Sequence, residues 1–134
     1  MKSYQELIAE AHAVITTVTV AKAAAQVGAA EVIFVDVRNE RELACTGVIP
    51  GAIHVPRGIL ESVIDPTCPY YNPLFGRAKT FLFYCASGRR SALAAQRAQE
   101  MGLTGAAHIG GGLKAWKEAG YALDPYQKPP LINE

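Results

Sequence analysis

The sequence predicts an α/β fold: an open, mainly parallel sheet of about five strands with helices on both faces. Three observations carry this. Two short apolar runs, Glu31-Val32-Ile33-Phe34-Val35 and Thr80-Phe81-Leu82-Phe83-Tyr84, lack polar alternation, the pattern of strands buried on both faces. Helix-forming stretches closed by glycine alternate with such runs. The 134 residues, 50% hydrophobic, suffice for one core, and no linker, repeat or low-complexity segment divides them.

The elements follow in order. Residues 3 to 13 form a short amphipathic helix with Leu7, Ile8 and Ala11 inward, and Val14 to Val18 is a β-branched strand. Thr19 caps a helix over Val20 to Val27, which Gly28 ends. The strand Glu31 to Val35 stops at Asp36-Val37-Arg38, after which Asn39 caps a helical turn through Glu42, Leu43 and Cys45. Gly47 to Gly51 is a turn, Ala52 to Val55 a short strand, and Pro56-Arg57-Gly58 leads into a brief helix near Ile59 to Val63. Prolines at 66, 69 and 73 mark an irregular surface loop rather than a domain boundary. The strand at 80–84 is followed by an alanine-rich helix from Ser91 to Met101, stopped by Gly102. A last strand near Ala106 to Ile109, the turn Gly110-Gly111-Gly112 and a helix from Leu113 to Ala119 precede a tail from Asp124 that is expected to be loosely held.

The chemistry points to Tyr84-Cys85-Ala86-Ser87-Gly88-Arg89-Arg90-Ser91, where a cysteine stands between a buried strand and a helix. The first N–H groups of a helix lack intrahelical partners and carry the positive end of its dipole. Gly88, with the small Ala86 and Ser87, lets the backbone curl so that its amides surround one atom. Arg89 and Arg90 add fixed positive charge. Such a setting favours the thiolate, which is the nucleophile. The alternative is a strand-end cysteine that only packs. In open parallel sheets ligands lie beyond the carboxyl ends of strands, where both Asp36 and Cys85 fall.

Composition narrows the function classes. A net charge of +1 gives no reason to invoke nucleic acid or a charged membrane surface. The cysteines, Cys45, Cys68 and Cys85, are odd in number and contain no Cys-x-x-Cys pair, which argues against a disulfide framework or a zinc site; no metal or cofactor is expected. A reducing compartment is the simpler assumption. Glu6 and Glu10 interrupt the N-terminus before any signal-type apolar region, and no run approaches the length of a membrane span. The expectation is a cytoplasmic protein.

Asp36-Val37-Arg38, Glu42, the block Gly47-x-Ile49-Pro50-Gly51-Ala52-x-His54-x-Pro56-x-Gly58, the cysteine loop Cys85 to Ser91, and Gly110-Gly111-Gly112-Leu113-Lys114-Ala115-Trp116 together resemble a single-domain rhodanese, a thiosulfate sulfurtransferase-like protein. The resemblance runs from about residue 14 to 123, implying one domain over 1–134 with its core there, an N-terminal helix and a loose tail at 124–134. It implies a known chemistry. Cys85 would take the outer sulfur of thiosulfate or a similar donor as a persulfide and pass it to a thiol, cyanide or a protein acceptor. Ala86, Ser87, Gly88, Arg89 and Arg90 would form the substrate cradle, with Arg57 or Arg89 meeting the incoming anion. Where the family often carries a histidine, this chain has Val48.

Related folds carry cysteine phosphatases and arsenate reductases, which need five residues between cysteine and arginine. Here Arg90 follows after four, Ser91 occupies the phosphatase arginine position, and Tyr84 replaces the histidine that often precedes the cysteine. A non-enzymatic sulfur carrier or redox sensor is the alternative from another class.

The supporting residues leave choices open. Asp36 either pairs with an arginine, Arg90 being one candidate, or caps local backbone. Glu42 either pairs with Arg90 or Arg89 or is solvated; Arg38 is either structural or part of the site. Ser91 supports the loop. His54 reads as a satisfied core histidine rather than a base or metal ligand. Cys68 reads as an incidental surface thiol, the alternative being one that resolves the persulfide. Cys45 is expected to be packed, and Trp116 to anchor the last helix. The three glycines lack the P-loop lysine and hydroxyl residue and read as a tight turn beside the site.

Overall fold

The computed structural model describes residues 1–129. Helix α1 (Tyr4–Val14) leads to strand β1 (Thr16–Val18), α2 (Val20–Ala24), β2 (Val32–Asp36), α3 (Glu40–Thr46) and β3 (Ile53–His54). A single 3₁₀ turn at Arg57–Ile59 runs into α4 (Leu60–Ile64), then come α5 (Leu74–Arg77), β4 (Thr80–Tyr84), α6 (Arg89–Glu100), β5 (Ala106–Ile109) and α7 (Gly112–Glu118). The five strands form one sheet in the order β1-β5-β4-β2-β3, and every pairing is parallel.

Side-chain alternation along the strands divides the core in two. Phe81 and Phe83 of β4, with Val35 of β2, face α4, α5 and the alanines of α6, Ala94, Ala95 and Ala98. Leu82 and Tyr84, with Phe34, Ala107 and Ile109, face α2 and α7, where Trp116 is buried and donates its indole N–H to the Ala122 carbonyl at 2.9 Å. Phe81, Leu82, Phe83 and Tyr84 are all at most 1% exposed, so β4 is buried on both faces. Each such side chain contributes about 1.5–3 kcal/mol. The cysteine therefore follows directly on a strand buried on both faces.

Several local expectations are corrected. Leu7 is exposed, because α1 packs through the stripe Ile8, Ala11 and Ile15, and Leu7 lies beside that line. The helix after Thr19 ends at Ala24 and tightens through the bonds Gln26 N–H to Ala23 O and Val27 N–H to Ala24 O before Gly28. The proline-rich loop closes with α5, whose Phe75 is buried and stacks on Phe81 at 5.3 Å. Cys45 is exposed, since it lies two residues beyond the buried Leu43 on a helix and so points the other way. The start of the tail is held: Asp124 pairs antiparallel with Val48, and the Tyr126 hydroxyl donates to Glu40 at 2.8 Å. Positions 130–134 of that expected loose tail lie outside the described residues.

Candidate active site

β2 and β4 are neighbours, so Asp36 and Tyr84 are register partners and the turns that follow them share one end of the sheet. Cys85 follows β4, and Gly88, at φ +104°, turns the chain into α6. A side chain there would be strained in this left-handed conformation. The Cys85 sulfur accepts hydrogen bonds from the Gly88 N–H at 3.2 Å and the Ser91 N–H at 3.3 Å, and its thiol donates to Ser91 Oγ at 3.4 Å. The backbone N–H groups of Ala86, Ser87, Arg89 and Arg90 have no hydrogen-bond partner among the described residues. Unpaired amides at a helix start are what an anion requires.

The loop is braced from below by the glycine turn. α7 donates Leu113 N–H to the Cys85 carbonyl at 2.9 Å and Lys114 N–H to the Ala86 carbonyl at 3.0 Å. Such an approach needs a glycine: at Gly112, with φ +59°, a Cβ would lie 2.6 Å from the Cys85 oxygen. The tight turn expected at 110–112 is thus the floor of the cysteine loop.

The two flanking charge clusters pair differently from one of the expectations. Asp36 binds Arg38, not Arg90, through Nε at 3.0 Å and Nη2 at 2.7 Å, and also accepts the Arg38 N–H at 3.0 Å. Alternation explains this, since residues two apart share a strand face. Both side chains are 1% exposed, and the Arg38 guanidinium also reaches Thr46 Oγ1 and the Gly47 carbonyl, tying the end of β2 to the end of α3. Arg38 is structural. Glu42 takes Arg90 in a two-pronged pair at 2.8 Å on each arm. The guanidinium, hydrogen-bonding the carboxylate, holds Glu42 down at about 2. Arg90 is therefore a clamp on the loop, with its side chain already engaged.

At the rim, Arg57 pairs with Glu61 at 3.1 Å. Arg89 lies over the Tyr4 ring at 6.0 Å and has no ion pair among the described residues. His54 Nε2 lies 2.7 Å from the Arg38 carbonyl, as a satisfied histidine should. None of the hydrogen bonds holding Cys85 comes from the Cys68 loop, which is fastened to α4 by Asn72 N–H to the Val63 carbonyl. A cavity of about 540 Å³ opens between α3 and α7, where Arg41, Cys45, Lys114 and Lys117 surround Ala86 of the loop.

Sequence reasoning missed two contributors. The Tyr84 hydroxyl accepts the Ile49 N–H at 3.1 Å and so fixes the Gly47–Gly51 turn; burial pushes its phenol well up. His108, in the middle of β5, lies 3.1 Å from Ser91 Oγ. Its one sequence signal is a polar residue inside a short buried strand.

The chain is an α/β protein whose cysteine sulfur accepts hydrogen bonds from two backbone amides at the carboxyl end of a central parallel strand. The family model described as the rhodanese-like domain matches residues 19–119, and the chain belongs to that family. Human thiosulfate:glutathione sulfurtransferase is 36% identical over 89 residues, 62% of this chain and 76% of the relative. Among solved structures, a Rhodopseudomonas palustris protein of unknown function, described as a possible tyrosine phosphatase, is 46% identical with a TM-score of 0.89, covering 92% of this chain and 96% of its own. A human single-domain sulfurtransferase is 30% identical with a TM-score of 0.63, covering 76% and 95%. Among the described residues no helix is long and apolar enough to cross a membrane.

Proposed function

We propose that the protein is a sulfurtransferase that moves sulfane sulfur from thiosulfate or a similar donor to a thiol acceptor through a persulfide on Cys85. The observation that carries this reading is the loop itself: Gly88 and Ser91 amides on Cys85 Sγ, with the four other amides between residues 86 and 90 left without partners among the described residues. The Cys85 thiolate attacks the outer sulfur of thiosulfate; a new S–S bond forms, the bond to the sulfonate sulfur breaks, and sulfite leaves with its electron pair. The persulfide's terminal sulfur is anionic, and the amides of residues 86 to 90 hold it as they would hold charge in the transition state. An acceptor thiolate then attacks that sulfur and returns Cys85 as thiolate. Arg89, free of an ion pair, is better suited than Arg57 to draw in the donor. The human relative's glutathione suggests a small thiol as acceptor.

The description of the Rhodopseudomonas relative makes phosphoryl chemistry the competing reading. Cys85 and Arg90 enclose four residues, one fewer than the phosphatase loop, which suits one sulfur better than a tetrahedral phosphate. Sulfur transfer from thiosulfate and hydrolysis of an aryl phosphate are measured side by side, with mass spectrometry of Cys85 after thiosulfate. The expected results are an added sulfur on Cys85, sulfite release, and loss of both in Cys85→Ser. Phosphate hydrolysis without sulfur transfer would refute the reading. A persulfide that forms but turns over with no acceptor would favour a sulfur carrier or redox sensor instead.

A further inference from the structure

The hydrogen bonds around Cys85 continue beyond the loop. Its thiol donates to Ser91 Oγ at 3.4 Å, Ser91 Oγ lies 3.1 Å from His108 Nδ1, and His108 Nε2 lies 3.0 Å from Thr17 Oγ1. Cys85, Ser91 and His108 are at most 1% exposed, whereas Thr17, on the edge strand β1, reaches solvent. Once Ser91 accepts the thiol proton bond, its own proton points to Nδ1. That selects the neutral imidazole with its proton on Nε2, directed at Thr17. Three hydrogen bonds thus join a buried thiol to the surface.

We propose that Ser91, His108 and Thr17 form a proton path that carries the Cys85 proton to solvent and then, with its hydrogen bonds reversed, supports the thiolate. The Sγ–H proton passes to Ser91 Oγ, the serine's proton to His108 Nδ1, the Nε2 proton to Thr17 Oγ1, and the threonine's proton to water. Each relay group gains one proton and loses one, so the thiolate is the sole new charge in the protein. Afterwards Nδ1–H donates to Ser91 Oγ, and Ser91 O–H donates to the sulfur in a charge-assisted bond. The sulfur then holds three donors: two amides and one hydroxyl.

The path works with a neutral imidazole, since an imidazolium would donate from both nitrogens and stop the exchange. Burial, with a smaller contribution from His12, pushes His108 down to about 4, which keeps it neutral at working pH. The titratable and charged groups around the path are His12 of α1, its ring 5.2 Å from that of His108, Cys85 itself, and Arg90 of α6, whose charge acts on Cys85. Ser91 and His108 are positioning residues here, acting on the sulfur and through one another. The proposal rests on Cys85 being the reactive group of the sulfur-transfer reading.

The test is the pH dependence of Cys85 alkylation by iodoacetamide, read by peptide mass spectrometry so that Cys45 and Cys68 are scored separately. His108→Asn is the informative variant. Its amide can accept from Ser91 and donate toward Thr17, filling the structural role, but cannot shift a proton between two atoms. With no Nδ1–H to turn the Ser91 hydroxyl onto the sulfur, the thiolate loses its charge-assisted donor, which predicts an alkylation midpoint moved alkaline by about one pH unit in His108→Asn and in Ser91→Ala, a roughly tenfold slower reaction at pH 7. The double variant should be no slower than the slower single one, since the two act as a unit. Thr17→Val, at the exposed end, should shift the profile in the same direction by a smaller amount. A folded His108→Asn within about twofold of the parent at every pH, or losses that multiply in the double variant, would overturn the proposal. Should His108→Asn fail to fold, an unchanged profile in Thr17→Val would overturn it as well. Alkylation needs no sulfur donor: a parent protein that releases no sulfite from thiosulfate defeats the sulfur-transfer reading, while the alkylation profiles still decide the path.

Discussion

Replacing Arg38 by methionine should be among the most damaging single changes outside the cysteine loop. The substitution keeps an unbranched chain of similar reach but leaves Asp36 buried, 1% exposed, without its guanidinium partner. It also removes the donors to Thr46 Oγ1 and the Gly47 carbonyl, which join the end of β2 to the end of α3. Removing one member of a buried pair costs about 3–5 kcal/mol, because the remaining charge keeps its desolvation penalty without the attraction that offset it. A domain of this size has roughly 5–15 kcal/mol in total. Arg38→Met should therefore remove about a fifth of the stability or more and lower the melting temperature by about 10–20 °C. Urea unfolding followed by fluorescence gives the measurement directly, since Trp116 is the single tryptophan and is 1% exposed. Asp36→Asn in the Arg38→Met background should recover about 1–3 kcal/mol, because asparagine keeps an acceptor for the Arg38 N–H while discarding the charge. A loss below about 1 kcal/mol in Arg38→Met, or a double variant as unstable as the two single losses added, would show that the pair does not hold this corner.

Three further outcomes follow from the site. Glu42→Gln should cost about 1 kcal/mol at neutral pH, after allowing for the partial exposure of the pair. Because the Glu42 pKa is lowered to about 2, its contribution is complete above the ordinary carboxylate range and disappears as pH falls toward 2; urea midpoints of parent and variant should converge there, and a gap that widens on acidification contradicts the pairing. Gly112→Ala would place a Cβ 2.6 Å and 2.8 Å from the Cys85 and Ala86 carbonyls at φ +59°, and should destabilise by about 2–4 kcal/mol while disturbing Cys85 alkylation; an unchanged thermal melt would contradict the floor described for the loop. His108, held at about 4, resists protonation in the folded chain while the unfolded chain accepts a proton near pH 6.5, so stability should fall by about 2–3 kcal/mol from pH 7 to pH 4. His108→Asn should lose that part of the slope, as guanidinium titrations at several pH values would show.

What the sequence displayed was mostly local. β4 and β5 could be read residue for residue because a short apolar run between turn signals has one interpretation, and Asn39 announced the start of α3, where its N–H donates to the Glu42 carboxylate at 3.0 Å. The cysteine loop was legible for the same reason: strand, glycine and helix lie within a few residues of one another. The missing parts depend on chain segments that meet only in the fold. Asp36 had an arginine two residues away on its own face, a local signal that competed with the arginines of the cysteine loop. The bridge between Val48 and Asp124 spans most of the chain, so no local pattern betrays that the tail is fastened. Cys45 was misplaced through helix phase, the four residues of α5 through the prolines that precede them. His108 needed knowledge of which helix residue and which edge strand flank β5.

The pairing of β1 with β5 also sets a schedule. Thr16, Thr17 and Val18 are made early, yet they align with Ala107, His108 and Ile109, and β1 has no other strand beside it. During synthesis from the N-terminus the first strand must wait until about four-fifths of the chain exists before it can join the sheet, a delay of the kind that non-local pairing imposes. The same late event brings the Thr17 hydroxyl to His108, and α7, later still, delivers the amides that brace the Cys85 and Ala86 carbonyls. The surroundings of Cys85 are therefore complete only once residues 106 to 118 have been made.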